Sequence, residues 1–245
     1  MILLNPAAFD RRPCCVLLDL DNTLYEYAPC HTAGHAAAAA LAHQLLNLSR
    51  ADFDRCFAQA RTEIKARLTG TGSSHSRLLY FQRTMELAGF ASQAFAALQL
   101  EQTFWRAYLD AAVLHDHAHA FLDDLRIAGI PTVLVTDLTA QIQLRKLVVL
   151  GLDRLIDWIV TSEESGHDKP HPASFELALT KLGAVGRPIW MIGDDVEADL
   201  EGARRAIGAV TLHKVASAKE LARSAGVDAC FDSFTDLSKV LGRLP

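Results

Sequence analysis

Clustered basic residues and long apolar runs are both missing from this sequence. Its 245 residues carry 24 Lys and Arg against 29 Asp and Glu, a formal net charge of −5. Because binding to duplex nucleic acid needs clustered cations that displace counterions, no nucleic-acid partner is expected. The apolar residues 1–4 lack a basic flank and end at Asn5 and Pro6, so we expect neither a signal peptide nor contact with a membrane. We therefore expect a cytoplasmic protein.

Cysteine is also scarce. The five cysteines form an odd set without any CxxC pair. This argues against a disulfide framework and against a thiolate zinc site. We expect these side chains to be small buried apolar groups in a reducing compartment.

Short apolar runs alternate with helical patterns in the second half of the chain. Half of all residues are hydrophobic, enough for one substantial core and a second, smaller one. The strand-like runs lie at 14–18, 131–135, 158–160, 189–192 and 209–212. The helical patterns lie at 141–150, 172–182, 197–207 and 218–225. This alternation predicts an α/β fold with a Rossmann-like, doubly wound parallel sheet.

A long helical segment follows the first strand-like run. Phe53, Phe57, Ala60 and Ile64 recur at intervals of three or four residues, which predicts one buried stripe on a helix. Ser49 is placed to cap that helix. We therefore predict a core domain of residues 1–27 and 116–245, with an inserted helical bundle at 28–115.

Polar residues follow the predicted strands at the points where the strands end. Asp19 and Asp21 follow the first run, Thr136 the second, and Asp194 the fourth, while Lys169 comes several residues after the third. Ligands of open parallel sheets bind outside the carboxyl ends of the strands. Carboxylate oxygens are hard ligands, so this acidic cluster indicates a Mg²⁺ site.

These residues, in this order, resemble the four motifs of the haloacid dehalogenase superfamily. The matching segments are Asp19-x-Asp21-Asn22-Thr23, Thr136, Lys169-Pro170, and Gly193-Asp194-Asp195 with Asp199. The resemblance covers about 14–212 and implies a phosphoric monoester hydrolase that acts on a nucleotide or sugar phosphate. The amino-acid sequence of the first motif is similar to that of pyrimidine 5′-nucleotidases and acylneuraminate-9-phosphatases. The insert resembles the helical C1 cap of subfamily I.

The resemblance implies a role for each catalytic residue. Asp19 would be the nucleophile and would form an aspartyl phosphate. Asp21 would protonate the leaving oxygen and later deprotonate the attacking water. Thr136 and Lys169 would hold the phosphoryl oxygens. The superfamily's haloalkanoate dehalogenases lack the second aspartate, so Asp21 favours phosphoryl transfer.

The resemblance also implies a set of metal ligands. Mg²⁺ would be held by the Asp19 side chain, the Asp21 backbone carbonyl and Asp194. Asp195 or Asp199 would support the ion from outside this set. For these last two residues, a carboxylate at the start of a helix is an equally good interpretation.

Asp137 departs from the resemblance, because the residue after the motif threonine is often Asn in such phosphatases. An extra carboxylate there would repel the substrate unless it is turned away or paired. Asp137 therefore either contacts a donor on the substrate or caps the helix that begins near Thr139. We favour the cap.

Substrate contacts are predicted in two places. Asn22 and Thr23 follow the nucleophile, and His75 and Arg77 follow a glycine- and serine-rich loop of the insert. A phosphomutase of the same fold and a catalytically silent binding protein remain as alternatives to the phosphatase. Either a monomer or a homodimer is compatible with the sequence.

Overall fold

A computed structural model describes residues 1–183, 185–217 and 226–245. The chain divides into two compact units, one formed by Met1–Glu26 with Val113–Pro245 and the other by Tyr27–Ala112. The sequence predicts the insert at 28–115, close to these limits. That the insert is a separate domain stays a prediction.

Helices make up the second unit and flank the sheet of the first. Tyr27–Ala112 contains α1 (Tyr27–Leu46), α2 (Arg50–Arg67), α3 (Arg77–Leu87) and α4 (Ala94–Asp110). The first unit contains α5 (Ala118–Ile127), α6 (Ala140–Val149), α7 (Ser162–Ser165), α8 (Pro172–Leu182), α9 (Gly202–Ile207) and α10 (Phe234–Arg243). Within the described ranges, no helix is long and apolar enough to cross a membrane.

The sheet of the first unit has seven strands among the described residues. They are β1 (Ile2–Leu3), β2 (Cys15–Leu18), β3 (Thr132–Thr136), β4 (Trp158–Thr161), β5 (Ile189–Gly193), β6 (Val210–Lys214) and β7 (Ala229–Phe231). Their order is β1-β7-β6-β5-β2-β3-β4, and every pair is parallel except β1 with β7. The predicted α/β fold with a parallel, Rossmann-like sheet is confirmed.

The central strands form because their residues are apolar on both faces. Every residue of β2, β3 and β5 is buried, as expected for a parallel sheet that is covered by helices on each side. Leu17, Val133 and Met191 belong to one buried cluster that also includes Phe175 of α8. This core fixes the carboxyl ends of β2, β3 and β5 next to one another.

Some elements differ from the sequence prediction. The strands β1 and β7 and the helix α10 were not predicted from the apolar pattern. The segment 197–207 is not one regular helix, because Val196–Glu201 forms a π-helical turn before α9. The helix predicted at 218–225 lies outside the described residues.

The second unit is held by an aromatic core. As predicted, Ser49 caps α2, and its Oγ accepts a hydrogen bond from the backbone N of Asp52 at 3.1 Å. Phe53 and Phe57 of the predicted stripe are buried, and their rings stack with a centroid separation of 6.0 Å. The 3.6-residue period therefore located the buried face of this helix.

Candidate active site

Three carboxylates meet at the carboxyl edge of the sheet. Asp19 follows β2 and Asp194 follows β5, and these strands are parallel neighbours. Asp199 lies in the π-helical turn that comes next. Carboxylate oxygens of these three residues lie within 4.8 Å of one another. The strand topology thus assembles a site that could hold a metal ion.

Lys169 lies against two of these carboxylates. Its Nζ is 2.6 Å from Asp19 Oδ1 and 2.7 Å from Asp199 Oδ1, and it donates to the backbone carbonyl of Val135 at 3.0 Å. Burial alone would lower the pKa of Lys169, but Asp19 and Asp199 raise it well above its usual value. Three ionised carboxylates against one ammonium leave the cluster with two excess negative charges.

Burial raises the pKa of each carboxyl group in this cluster. For Asp194, burial and the charge of Asp19 raise the pKa to about 6. Burial is also the main cause of the raised pKa of Asp19 and of Asp199. The ammonium of Lys169 lowers both pKa values but does not cancel the effect of burial. The ionised cluster is therefore disfavoured unless further positive charge is present. Its oxygen donors, spacing and charge fit a divalent cation such as Mg²⁺.

The turn after β2 fixes the second oxygen of the Asp19 carboxylate. Thr23 is fully buried, and its hydroxyl donates to Asp19 Oδ2 at 3.0 Å; it also lies 3.4 Å from Asp194 Oδ1. Asn22 adopts a positive φ of 63°, a conformation that Asn tolerates better than most residues. Asn22 and Thr23, predicted as substrate contacts, thus lie beside the carboxylate cluster.

Asp21 points to α6. Its Oδ1 and Oδ2 accept hydrogen bonds from Lys146 Nζ at 2.7 and 2.9 Å, and Oδ1 also accepts one from the Tyr25 hydroxyl. Gln143 Nε2 lies 3.4 Å from Oδ2. Burial would raise the pKa of Asp21, but Lys146 lowers it below its ordinary value, helped by the hydrogen bonds. The carboxylate form of Asp21 is therefore stabilised.

Lys146 and Gln143 were not predicted as site residues. Both lie on the buried side of α6 together with Ile142 and Leu147. Two polar side chains within an apolar helical stripe are the signal that could have identified them, because buried lysine and glutamine need partners.

Thr136 and Asp137 lie at the end of β3. Thr136 is buried, and its hydroxyl oxygen accepts a hydrogen bond from Gln143 Nε2 at 2.6 Å. Asp137 Oδ1 accepts one from the backbone N of Lys169 at 3.0 Å. The residue at the N-cap of α6 is Thr139, whose side chain makes no capping bond. The prediction that Asp137 caps this helix is wrong, since its carboxylate joins the loop after β3 to the Lys169 loop.

Asp195 and Asp199 have different surroundings. Asp195 is exposed, and its Oδ1 accepts hydrogen bonds from the backbone N of Glu197 at 3.0 Å and of Ala198 at 2.9 Å. Asp199 is buried and contacts Lys169. Support of a metal ion by either residue stays a prediction, and this geometry favours Asp199.

His75 and Arg77 belong to the second unit. Arg77 is only 7% exposed, and its guanidinium donates to the backbone carbonyl of His75 and to the hydroxyl of Tyr27, both at 2.7 Å. It also lies over three aromatic rings, those of Tyr80, Phe104 and Trp105. These contacts anchor Arg77 within its own unit, and its role in substrate binding stays a prediction.

Gly193 leaves the space that Asp199 occupies. A Cβ atom at Gly193 would lie 2.6 Å from the Cβ of Asp199. We expect Gly193→Ala to displace Asp199 from Lys169 and to lower the free energy of unfolding by about 1–3 kcal/mol, a common cost of overpacking. Thermal unfolding measures this change. Gly242→Ala is the control, since that position in α10 is open; equal stability of the two variants would contradict the prediction.

Comparison with known proteins identifies similar chains. The family model described as a haloacid dehalogenase-like hydrolase matches residues 15–206. A ribulose-1,5-bisphosphate 5-phosphatase of Halopiger xanaduensis is 41% identical over 198 residues, which cover 80% of this chain and 82% of that protein. A phosphoglycolate phosphatase of Colwellia psychrerythraea is 27% identical, with coverage of 91% and 94%.

A solved structure supports the fold. The 2-haloacid dehalogenase of Pseudomonas syringae pv. Tomato superposes with a TM-score of 0.74 at 19% identity, covering 94% of this chain and 98% of that one. At this identity the likeness concerns the fold and not the reaction.

Proposed function

This chain belongs to the haloacid dehalogenase-like hydrolase family, and we propose that it is a Mg²⁺-dependent phosphatase that hydrolyses a small sugar phosphate through an aspartyl-phosphate intermediate. The observation that carries the proposal is the environment of Asp19. Its carboxylate is buried, is held by Lys169 and Thr23, and lies beside two further carboxylates. This environment supports the proposed role of Asp19 as the nucleophile that attacks phosphorus.

The proposed metal ligands are the side chains of Asp19 and Asp194 and the backbone carbonyl of Asp21, with Asp199 in support. When bound, Mg²⁺ would offset the repulsion between the phosphate dianion and the carboxylate nucleophile. Lys169 contributes one of the positive charges from the chain itself.

The protein residues divide the reaction into two steps. Asp19 attacks phosphorus, the bond to the leaving oxygen breaks, and that oxygen takes a proton from Asp21. Asp21 then takes a proton from water, which attacks the aspartyl phosphate and releases inorganic phosphate and free Asp19. Thr136 and Lys169 hold the phosphoryl oxygens during both steps.

Sugar phosphates are the first substrates to test. The relative with 41% identity is named as a phosphatase of ribulose-1,5-bisphosphate, which supports a phosphorylated ketose as the substrate class. Nucleoside 5′-monophosphates are the second class of candidate substrates, because the sequence of the first motif is similar to that of pyrimidine 5′-nucleotidases. We also propose that the helical unit Tyr27–Ala112 serves as a C1-type cap.

A screen of phosphate release tests the proposal. Ribulose-1,5-bisphosphate, phosphoglycolate and nucleoside 5′-monophosphates would each be incubated with the protein and Mg²⁺, and again with excess chelator. We expect a sugar phosphate to give the highest kcat/KM and chelator to abolish release. Equal release with chelator, or no release from any ester by folded protein, would contradict the proposed function.

Arg77 gives a test of selectivity. Arg77 donates to the backbone carbonyl of His75, which is itself a predicted substrate contact. We expect Arg77→Ala to release His75 and to lower kcat/KM for the preferred substrate by roughly tenfold or more, the size of one lost charge-assisted hydrogen bond. Turnover of p-nitrophenyl phosphate should change much less. An equal loss with both substrates, together with a lower melting temperature, would assign Arg77 to the stability of its unit instead.

A further inference from the structure

The acid-base residue Asp21 is held by side chains that none of the four family motifs contains. Lys146 Nζ lies 2.7 and 2.9 Å from its two carboxylate oxygens. The Tyr25 hydroxyl donates to one oxygen, and Gln143 Nε2 approaches the other at 3.4 Å. Three different donors thus determine which way this carboxylate faces.

Lys146 is an unusual residue for the inner side of a helix. Its side chain is 1% exposed, and burying an ammonium is costly unless an anion compensates for it. Its Nζ also lies 5.8 Å from the centre of the Tyr25 ring, within the range of a cation–π contact. The ion pair with Asp21 offsets the cost of keeping this lysine inside.

Gln143 connects the same carboxylate to the phosphate-binding side. Its Nε2 donates to Thr136 Oγ1 at 2.6 Å and to the backbone carbonyl of Asp137 at 2.8 Å, while it also approaches Asp21. Gln143 and Lys146 are three residues apart on α6, so they project from the same face. The side chains of α6 therefore link Asp21 to Thr136 through hydrogen bonds.

We propose that Lys146, assisted by Gln143, is a positioning residue that holds the Asp21 carboxylate for proton transfer. The inference rests on the proposed function, in which Asp21 serves both half-reactions. These contacts fix the orientation of the Asp21 carboxyl group, which must face the leaving oxygen in the first step and the attacking water in the second. With an ester whose leaving group needs little protonation, loss of Lys146 should therefore slow mainly the hydrolysis of the aspartyl phosphate.

Single-turnover kinetics of Lys146→Met test this assignment with p-nitrophenyl phosphate. Its leaving group needs little protonation, so the first step should persist and give a burst of p-nitrophenol near one equivalent. Steady-state kcat should fall at least about tenfold, a part of what an acid-base group contributes. Lys146→Arg should recover most of this loss. Arg145→Met is the matched control, because Arg145 is exposed on the same helix, and it should match wild type.

A double-mutant cycle separates positioning from stability. If Lys146 acts through Asp21, Lys146→Met should change kcat less than about twofold in an Asp21→Asn background. The double variant also removes both charges of the buried pair, so it should fold even where the single variant is unstable. The inference would be overturned if Lys146→Met lowered kcat equally in the wild-type and Asp21→Asn backgrounds. An unchanged kcat in the Lys146→Met enzyme would also overturn it. Failure of wild type to hydrolyse any ester would instead refute the proposed function.

Discussion

Asp19→Asn is expected to release no measurable phosphate from any ester, a loss of at least about a thousandfold relative to wild type. An amide cannot form the acyl phosphate, and it carries no charge for a divalent cation. A phosphate-release assay with the preferred substrate and saturating Mg²⁺ measures the loss. No phosphorylated protein should accumulate in the variant.

The same variant should remain folded, because the substitution keeps the size of the side chain. Lys169 would retain Asp199 Oδ1 at 2.7 Å and the carbonyl of Val135 at 3.0 Å as partners. Removing one of three clustered carboxylates also removes repulsion, so we expect a melting temperature without metal at or above that of wild type. Asp10→Asn, at an exposed position, is the control for activity. Turnover of Asp19→Asn at the wild-type rate would exclude Asp19 as the nucleophile.

The proximity of the carboxylates at the strand ends could be predicted because parallel strands place their carboxyl ends at one edge. The apolar runs before Asp19 and Asp194 predicted buried strands, and the register between Leu18 and Ile192 brings these residues together. The local pattern and the direction of the strands were sufficient.

Contacts across long sequence separations could not be predicted in the same way. Lys146 and Asp21 are 125 residues apart, and the helical period shows that Lys146 faces inward without identifying its partner. For Asp137, a local cap was the simplest interpretation, but the carboxylate instead binds the backbone of Lys169, 32 residues away. Strands of two or three residues, such as β1 and β7, are too short to show any period.

Lys169→Met should destabilise the protein without metal by about 3–5 kcal/mol, the usual cost of removing one partner from a buried ion pair. The lysine is buried and contacts both Asp19 and Asp199. Without it, the three carboxylates, whose oxygens lie within 4.8 Å of one another, lose the ammonium that contacts Asp19 and Asp199. Thermal unfolding in the presence of chelator measures the loss, and hydrolysis should also fall strongly because the phosphoryl oxygens lose a donor.

Mg²⁺ should restore more stability to this variant than to wild type. Loss of the ammonium leaves the cluster more negative, so it should bind the cation more tightly, and a ligand stabilises the folded state in proportion to the logarithm of its concentration over Kd. The measurement is the rise in melting temperature on Mg²⁺ addition, compared with Lys239→Met. Lys239 is 61% exposed and pairs with Asp236 on the surface of α10, so its loss should leave the melting temperatures with and without Mg²⁺ near those of wild type. If Mg²⁺ raises the melting temperature of Lys169→Met no more than that of wild type, the three carboxylates do not act together as a cation site. Lys169 then serves mainly to neutralise Asp199.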